Sequence, residues 1–186
     1  LCAAGRLVEI NDVTALPARA GQPFVAGPFL NIYNEATARF FIRRGAHAIC
    51  PPVELSLATI GAIAMACPDA AFEVFAFGRL PLALSGRCYH ARLHGLHKDS
   101  CQFTCEQDAD GLVVETLDEQ AFLAMNGVQT LSAQVQAVLS PPVELTTRAI
   151  ARLRLSPHTC DMVAVTQIYR ALALGEIAPQ EALVRL

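Results

Sequence analysis

The 186 residues are 53% hydrophobic and 17% charged, with a mean hydropathy of +0.38, which excludes a disordered or fibrous chain and allows a substantial core within single-domain size. The longest apolar stretches, Thr59–Cys67 and Leu80–Leu84, fall far short of the roughly 20 residues that a membrane-spanning helix needs. A net charge of −3 with Lys98 as the only lysine offers no cationic face for nucleic acid.

The chain opens Leu1-Cys2-Ala3-Ala4-Gly5-Arg6 in mid-pattern, with no signal-peptide charge region, so more sequence upstream is expected. Its seven cysteines are odd in number and unevenly spaced. That is unlike a secreted disulfide framework, and a cytoplasmic location is expected.

Short apolar runs, turns and helical stretches alternate along the chain in the manner of successive βα units. Leu7–Ile10 reads as a strand and Val13–Ala20 as a short helix. Phe24–Ala26 is the next strand, and Asn34 caps a helix that buries Ala36, Phe40 and Phe41 and stops at Gly45. Arg43 and Arg44 suit the negative end of that helix. The cycle repeats with a strand at His47–Cys50, Ser56 as N-cap of a helix to about Ala66, Pro68 as breaker and a strand at Phe72–Phe77.

From Gly78 to about Asp118 the period is interrupted by three cysteines, three histidines and several turn residues. Long excursions of this kind usually carry function. Regularity returns with a strand at Gly127–Leu131, then helical sequence broken at Pro141 and Pro142. Ala151–Leu155 is the last strand. Thr159 or Asp161 starts a helix with Val165, Ile168, Tyr169 and Leu172 on one face and Gly175 past its end, and the tail from Glu176 forms a terminal helical turn. Six strands alternating with helices fit either a doubly wound open sheet or an incomplete (β/α) barrel. No glycine-rich phosphate fingerprint follows a strand.

Twelve residues separate Cys88 from Cys101 and three separate Cys101 from Cys105. Thiolates so spaced can reach one centre if the loop folds back, and soft sulfur selects an iron–sulfur cluster, zinc or Cu(I). Three cysteines leave such a site one ligand short. His90, His94 and His97 lie in the same segment, so zinc held by cysteine and one histidine is the chemical competitor, although solvated loop positions are expected for all three. Cys2, Cys50, Cys67 and Cys160 read as small buried hydrophobes.

The stretch Glu73-Val74-Phe75, Gly78-Arg79-Leu80-Pro81-Leu82, Ser85-Gly86-Arg87-Cys88 resembles the signature of the collagenase-like peptidase superfamily, with Pro81 where most members have a cysteine. Lys98-Asp99 before Cys101 and Cys105, then Asn126-Gly127-Val128-Gln129-Thr130, resemble its UbiV-like branch, involved in ubiquinone biosynthesis. Phe24-Val25-Ala26-Gly27, Asn31, Tyr33-Asn34, Pro52-Val53-Glu54-Leu55-Ser56 and Arg154-Leu155-Ser156-Pro157 extend the likeness over most of the chain. The resemblance implies a single domain over residues 1–186, forming an incomplete TIM-like (β/α) barrel with a cluster-binding insertion at 78–118. It also implies a 4Fe-4S cluster on Cys88, Cys101 and Cys105 with a fourth ligand upstream of Leu1. The implied partner is a UbiU-like homologue in a heterodimer, and the implied substrate an aromatic quinone precursor hydroxylated without oxygen. A collagenase-like peptidase and a zinc- or small-ligand-binding barrel without catalysis are the alternatives.

Two acidic residues are catalytic candidates. Glu54 follows a strand and precedes a helix, which would place it at the C-terminal mouth of a barrel or simply at a helix dipole. Glu73 lies in an apolar strand and is expected to pair with Arg87. Asn31, Tyr33 and Asn34 could line a pocket, and Lys98 is expected to be solvated. No Ser/His/Asp order and no His-Glu-x-x-His motif is present. In an incomplete barrel the strands at Leu7–Ile10 and Ala151–Leu155 would be open edges needing cover. The three clustered cysteines would then lie on a loop without metal or include a Cys101–Cys105 disulfide.

Overall fold

The structure, a computed structural model, describes residues 7–186; Cys2 lies outside them. Strands alternate with helices from the start. β1 (Val8–Ile10) leads through two 3-10 turns at Val13–Ala15 and Pro17–Arg19 to β2 (Phe24–Ala26), where a single short helix was expected. Pro17 at the head of the second turn and Gly21 after it, at φ 73°, keep that segment short. α1 (Glu35–Ile42) starts where Asn34 accepts the Thr37 N–H at 2.8 Å and ends before Gly45 at φ 102°. β3 (Ala46–Ile49) follows, and Ser56 caps α2 (Leu57–Ala66) by accepting from Thr59 N at 3.2 Å.

β4 (Ala71–Leu84) is more than twice as long as its expected strand. α3 (Tyr89–Leu93), two further 3-10 turns, β5 (Leu112–Glu115), β6 (Ala121–Asn126) and β7 (Gln129–Ala137) come next. The helical reading before Pro141 is corrected here. Gln129–Ala137 is extended and pairs with β6 and β4, because Gly127 at φ 62° closes a two-residue hairpin that delivers the chain straight back along β6. α4 (Pro142–Thr147), β8 (Ile150–Leu155), α5 (Met162–Ala173) and α6 (Pro179–Arg185) complete the chain.

The chain is thus mixed α/β, with eight strands among the described residues rather than six. It divides into two units, the boundaries falling after Ala76 within β4, after Val138, after Arg154 within β8 and after Ile168 within α5. The first unit comprises residues up to Ala76, Leu139–Arg154 and Tyr169–Leu186. In it β1, β2, β3 and the start of β4 pair in parallel, and one register row joins Ile10, Ala26, Ile49 and Phe72. All four side chains are buried. With Phe24, Ile32 and Leu172 they make the core of this unit. Tyr169, on α5, donates its hydroxyl to Ala76 O at 2.8 Å and so fixes the helix to the strand. β8 pairs with β4 and β1 with β2, each with that one strand among the described residues.

The second unit comprises Phe77–Val138 and Leu155–Ile168. The far half of β4 pairs antiparallel with β7, β7 with β6 and β6 with β5. Gly78, at φ 120°, approaches Ser156 so closely that a Cβ there would lie 2.6 Å from the serine's own Cβ. That approach lets Ser156 N donate to Phe77 O at 2.8 Å. The segment 78–118 read as an excursion therefore contains half of β4, α3 and β5 as ordinary elements of this unit.

Candidate functional site

The three clustered cysteines all fall in the second unit, each at the edge of a short helical turn. Cys88 is the N-cap of α3, its sulfur accepting from Ala91 N at 3.4 Å. Cys101 ends the turn Lys98–Ser100, and Cys105 lies in the turn Thr104–Gln107. All three are half-buried and free, so the expected disulfide is not formed. The β6–β7 turn ties two of them together. Tyr89, next to Cys88, donates its N–H to Gly127 O at 3.1 Å, and a Cβ at Gly127 would lie 4.0 Å from Cys105 Sγ. The donor chemistry suits a soft metal. The arrangement does not yet make a coordination sphere: no group of three or more His, Cys, Asp and Glu side chains that could hold a metal ion occurs among the described residues.

His90 departs from its expected solvated position. It is 1% exposed, its Nδ1 accepts from Gly127 N at 3.1 Å, and its Nε2 meets Asp108 Oδ2 at 3.1 Å. Acceptance at Nδ1 places the proton on Nε2, so both ring nitrogens are committed and neither has a lone pair for a metal. Only His94 and His97, both exposed, keep the zinc alternative open within this segment. Lys98 reaches Gly86 O at 3.3 Å.

A second histidine–carboxylate pair was missed in the sequence. Asp110 accepts from Thr159 N at 2.9 Å and from the Thr159 hydroxyl, and lies 3.1 Å from His158 Nδ1. Nε2 of His158 is buried without a partner. Asp110 and His158 are 48 residues apart in the chain, so no local signal could have joined them. Cys160, expected to be a buried hydrophobe, is exposed, whereas Cys50 and Cys67 are buried as expected.

In the first unit the polar residues converge on one face of the parallel strands. Alternation puts Glu9 and Glu73 opposite the buried row of Ile10 and Phe72. Arg154 on β8 pairs with both, donating to Glu73 through Nε and to Glu9 through both terminal nitrogens. Glu73 therefore has an arginine partner, but it is Arg154 and not Arg87, which is exposed. In a flat sheet β1 and β4 would stand about 14 Å apart, too far for two carboxylates to share one guanidinium. The sheet of this unit must curl, concave on the glutamate face.

Burial works to raise the Glu9 carboxyl, but hydrogen bonds from Arg154 and Asn11 and the arginine charge bring it below the usual carboxylate range. Burial likewise opposes the charge on Arg154, and the two glutamates outweigh it. Cys50, one residue past β3, is pushed up to about 12, chiefly by burial, with Arg154 opposing and the glutamates reinforcing. Its sulfur stays a neutral thiol at ordinary pH and is no nucleophile. Asn11 Oδ1 accepts from Phe29 N at 3.1 Å, and Gly27 leaves it the room, since a Cβ there would lie 2.2 Å from that oxygen.

Glu54 stands in the turn after β3 and accepts a hydrogen bond from the Tyr33 hydroxyl. That bond, with slight burial and the carboxylate charge behind it, raises the Tyr33 phenol above its ordinary value. Asn34 acts as a cap, and Asn31, at φ 55°, ends the turn Pro28–Leu30. The structure thus brings Glu9, Glu73, Arg154 and Cys50 together, and separately Tyr33 with Glu54.

Residues 14–175 match the family model described as Peptidase family U32. No solved structure matches the chain.

Proposed function

The chain belongs to peptidase family U32, and from that premise we propose that it is an iron–sulfur protein acting with a UbiU-like homologous partner in oxygen-independent ring hydroxylation of an aromatic quinone precursor. The observation that carries this reading is the concentration of three free, half-buried thiols, Cys88, Cys101 and Cys105, at turn edges of one small unit. Because the thiols are not yet gathered into one sphere, binding would have to draw the turns Lys98–Ser100 and Thr104–Gln107 toward α3. Coupling of this kind between ligation and local folding is usual for metal sites. His90 would hold Gly127 fixed while the turns close.

A fourth ligand is then needed, which the proposal assigns upstream of Leu1. A cluster of this type supplies one-electron chemistry at a potential set by its ligands, hydrogen bonds and exposure. The curled parallel sheet of the first unit supports its reading as part of a (β/α) barrel, and among the described residues no helix is long and apolar enough to cross a membrane. Anaerobic reconstitution of the full-length protein should give an absorbance band near 400 nm and about four irons per chain, both lost in Cys101→Ala. Zinc uptake in place of iron, with no such band, sinks the reading.

Peptide hydrolysis is a second reading with one geometric element behind it. His158 is aligned by Asp110, but its Nε2 is buried and would have to become accessible before it could act as a general base. It has no nucleophile assigned, and Cys50 is unsuited to the part. Full-length protein that leaves gelatin and generic peptides intact, both with metals supplied and under reducing conditions, eliminates it.

A further inference from the structure

At the ends where β2 and β3 begin, the segment Leu16–Pro23, the end of α1 and Asp69 wall a cleft of about 860 Å³. A second hollow of about 560 Å³ shares His47 and Asp69 with it. Both lie within the range of small-molecule sites, roughly 300–1,000 Å³. All of their lining belongs to the first unit.

Two arginines, Arg43 and Arg44, line the first cleft, with His47 and the carboxylate of Asp69 also in its wall. Arg43 and His47 have no ion-pair partner among the described residues. Arg44 stacks on the Phe40 ring, its guanidinium carbon 3.5 Å from the centroid, and donates to Phe40 O at 3.2 Å. Arg19, in the segment Leu16–Pro23, is 4% exposed and is not itself part of the lining. Its Nη2 donates to Pro23 O at 2.8 Å, its Nε is buried without a partner, and no carboxylate among the described residues pairs with it. The end of the α1 dipole accounts for cations at Arg43 and Arg44. It does not account for Arg19, and a buried charge without a counter-charge is costly unless something supplies one. The second hollow is different in kind, its walls formed largely by Met65, Pro68, Ala71, Ala149 and Ala151.

We propose that this double cleft binds an amphipathic anion, with a carboxylate or phosphate head over Arg43, Arg44 and His47 and an apolar body along Met65, Pro68 and Ala149. The head pairs with the guanidinium groups of Arg43 and Arg44, which outnumber the Asp69 carboxylate in that wall, and the neighbouring hollow takes the apolar body out of water. This site is independent of the thiol segment and stands or falls apart from it.

Calorimetric titration of the full-length protein with decanoate and with decyl phosphate, each below its micellar concentration, tests it. Both should bind, with 1-decanol and inorganic phosphate each far weaker, since one lacks the head and the other the body. The double variant Arg43→Gln/His47→Gln should weaken both amphiphiles about tenfold, the loss expected for a charge-assisted contact. Met65→Asp should weaken them while leaving the circular dichroism spectrum unchanged, which separates lost contact from lost fold. The inference is overturned if neither amphiphile binds, if the double variant binds unchanged, or if decanol or inorganic phosphate binds as well as the amphiphiles. It is also overturned if only phosphatidylglycerol vesicles retain the protein, since that would mean a membrane surface and not a monomeric ligand.

Discussion

In the first unit a single arginine answers two carboxylates across a curled sheet, and the face behind it is filled by Phe24, Ile49 and Phe72. The second unit has fewer buried apolar side chains and leaves Leu93, Phe103, Leu117 and Phe122 largely exposed. There the joints are local clamps: His90 on Gly127 and Asp108, and Asp110 on Thr159 and His158. The difference teaches where each half draws its stability. Packing is non-directional and survives small shifts, whereas a clamp made of two or three hydrogen bonds fails when one atom is removed.

The comparison breaks first at the core. Phe72→Ala should destabilise by about 3–5 kcal/mol, through lost burial and the cavity left behind, read as a lower denaturation midpoint with an unchanged slope. Arg154→Ala comes next. It leaves Glu9 and Glu73 side by side without a counter-charge; the pairs are part-exposed, Glu9 the more so, so the cost is about 2–3 kcal/mol, below that of breaking a fully buried pair. Replacing all three with Gln, Gln and Met should recover much of that loss, and failure to do so would mean that Arg154 acts through packing.

His90→Ala should cost about 2 kcal/mol, since it strands the Gly127 N–H and removes a buried side chain. Amide hydrogen exchange should show the loss at Gly127 and Tyr89 and leave Ala26 and Ile49 protected. Equal loss in both places would erase the distinction between clamp and core. The smallest effect is the pH dependence from Glu9. Its folded carboxyl lies below its ordinary value near 4.5, so its contribution is complete above that value and is lost as pH falls through the lower folded one. Stability should begin to fall below about pH 4.5, and a variant without Arg154 should show less of that fall in acid titration.

Much of the local structure was legible in the chain. Asn34 and Ser56 cap the helices they were expected to cap, Gly45 and Gly175 adopt the positive φ expected of helix stops, and Phe24–Ala26 is a strand. These depend on a side chain meeting a backbone group three or four residues away, and such contacts are written in sequence. At the β6–β7 hairpin the two-residue loop is Gly127-Val128, with Asn126 paired to Gln129, and its sequence signal is the glycine at the first loop position. The strand read at Gly127–Leu131 runs on to Ala137 because β7 is held between β6 and β4.

What only the tertiary structure decided are the partners that lie far apart in the chain. Glu73 was expected to pair with Arg87, and its arginine is Arg154 instead. Arg154 takes the place because β8 pairs with β4 while the sheet curls toward β1. His90 was read as solvated because loops usually are, and it is buried because the β6–β7 turn returns onto α3. Asp110 with His158, and Arg19 without a counter-charge, are likewise products of chain return. Short-range hydrogen bonds are set by residue identity and spacing, but long-range pairing is set by which strands lie side by side, and that is a property of the folded sheet.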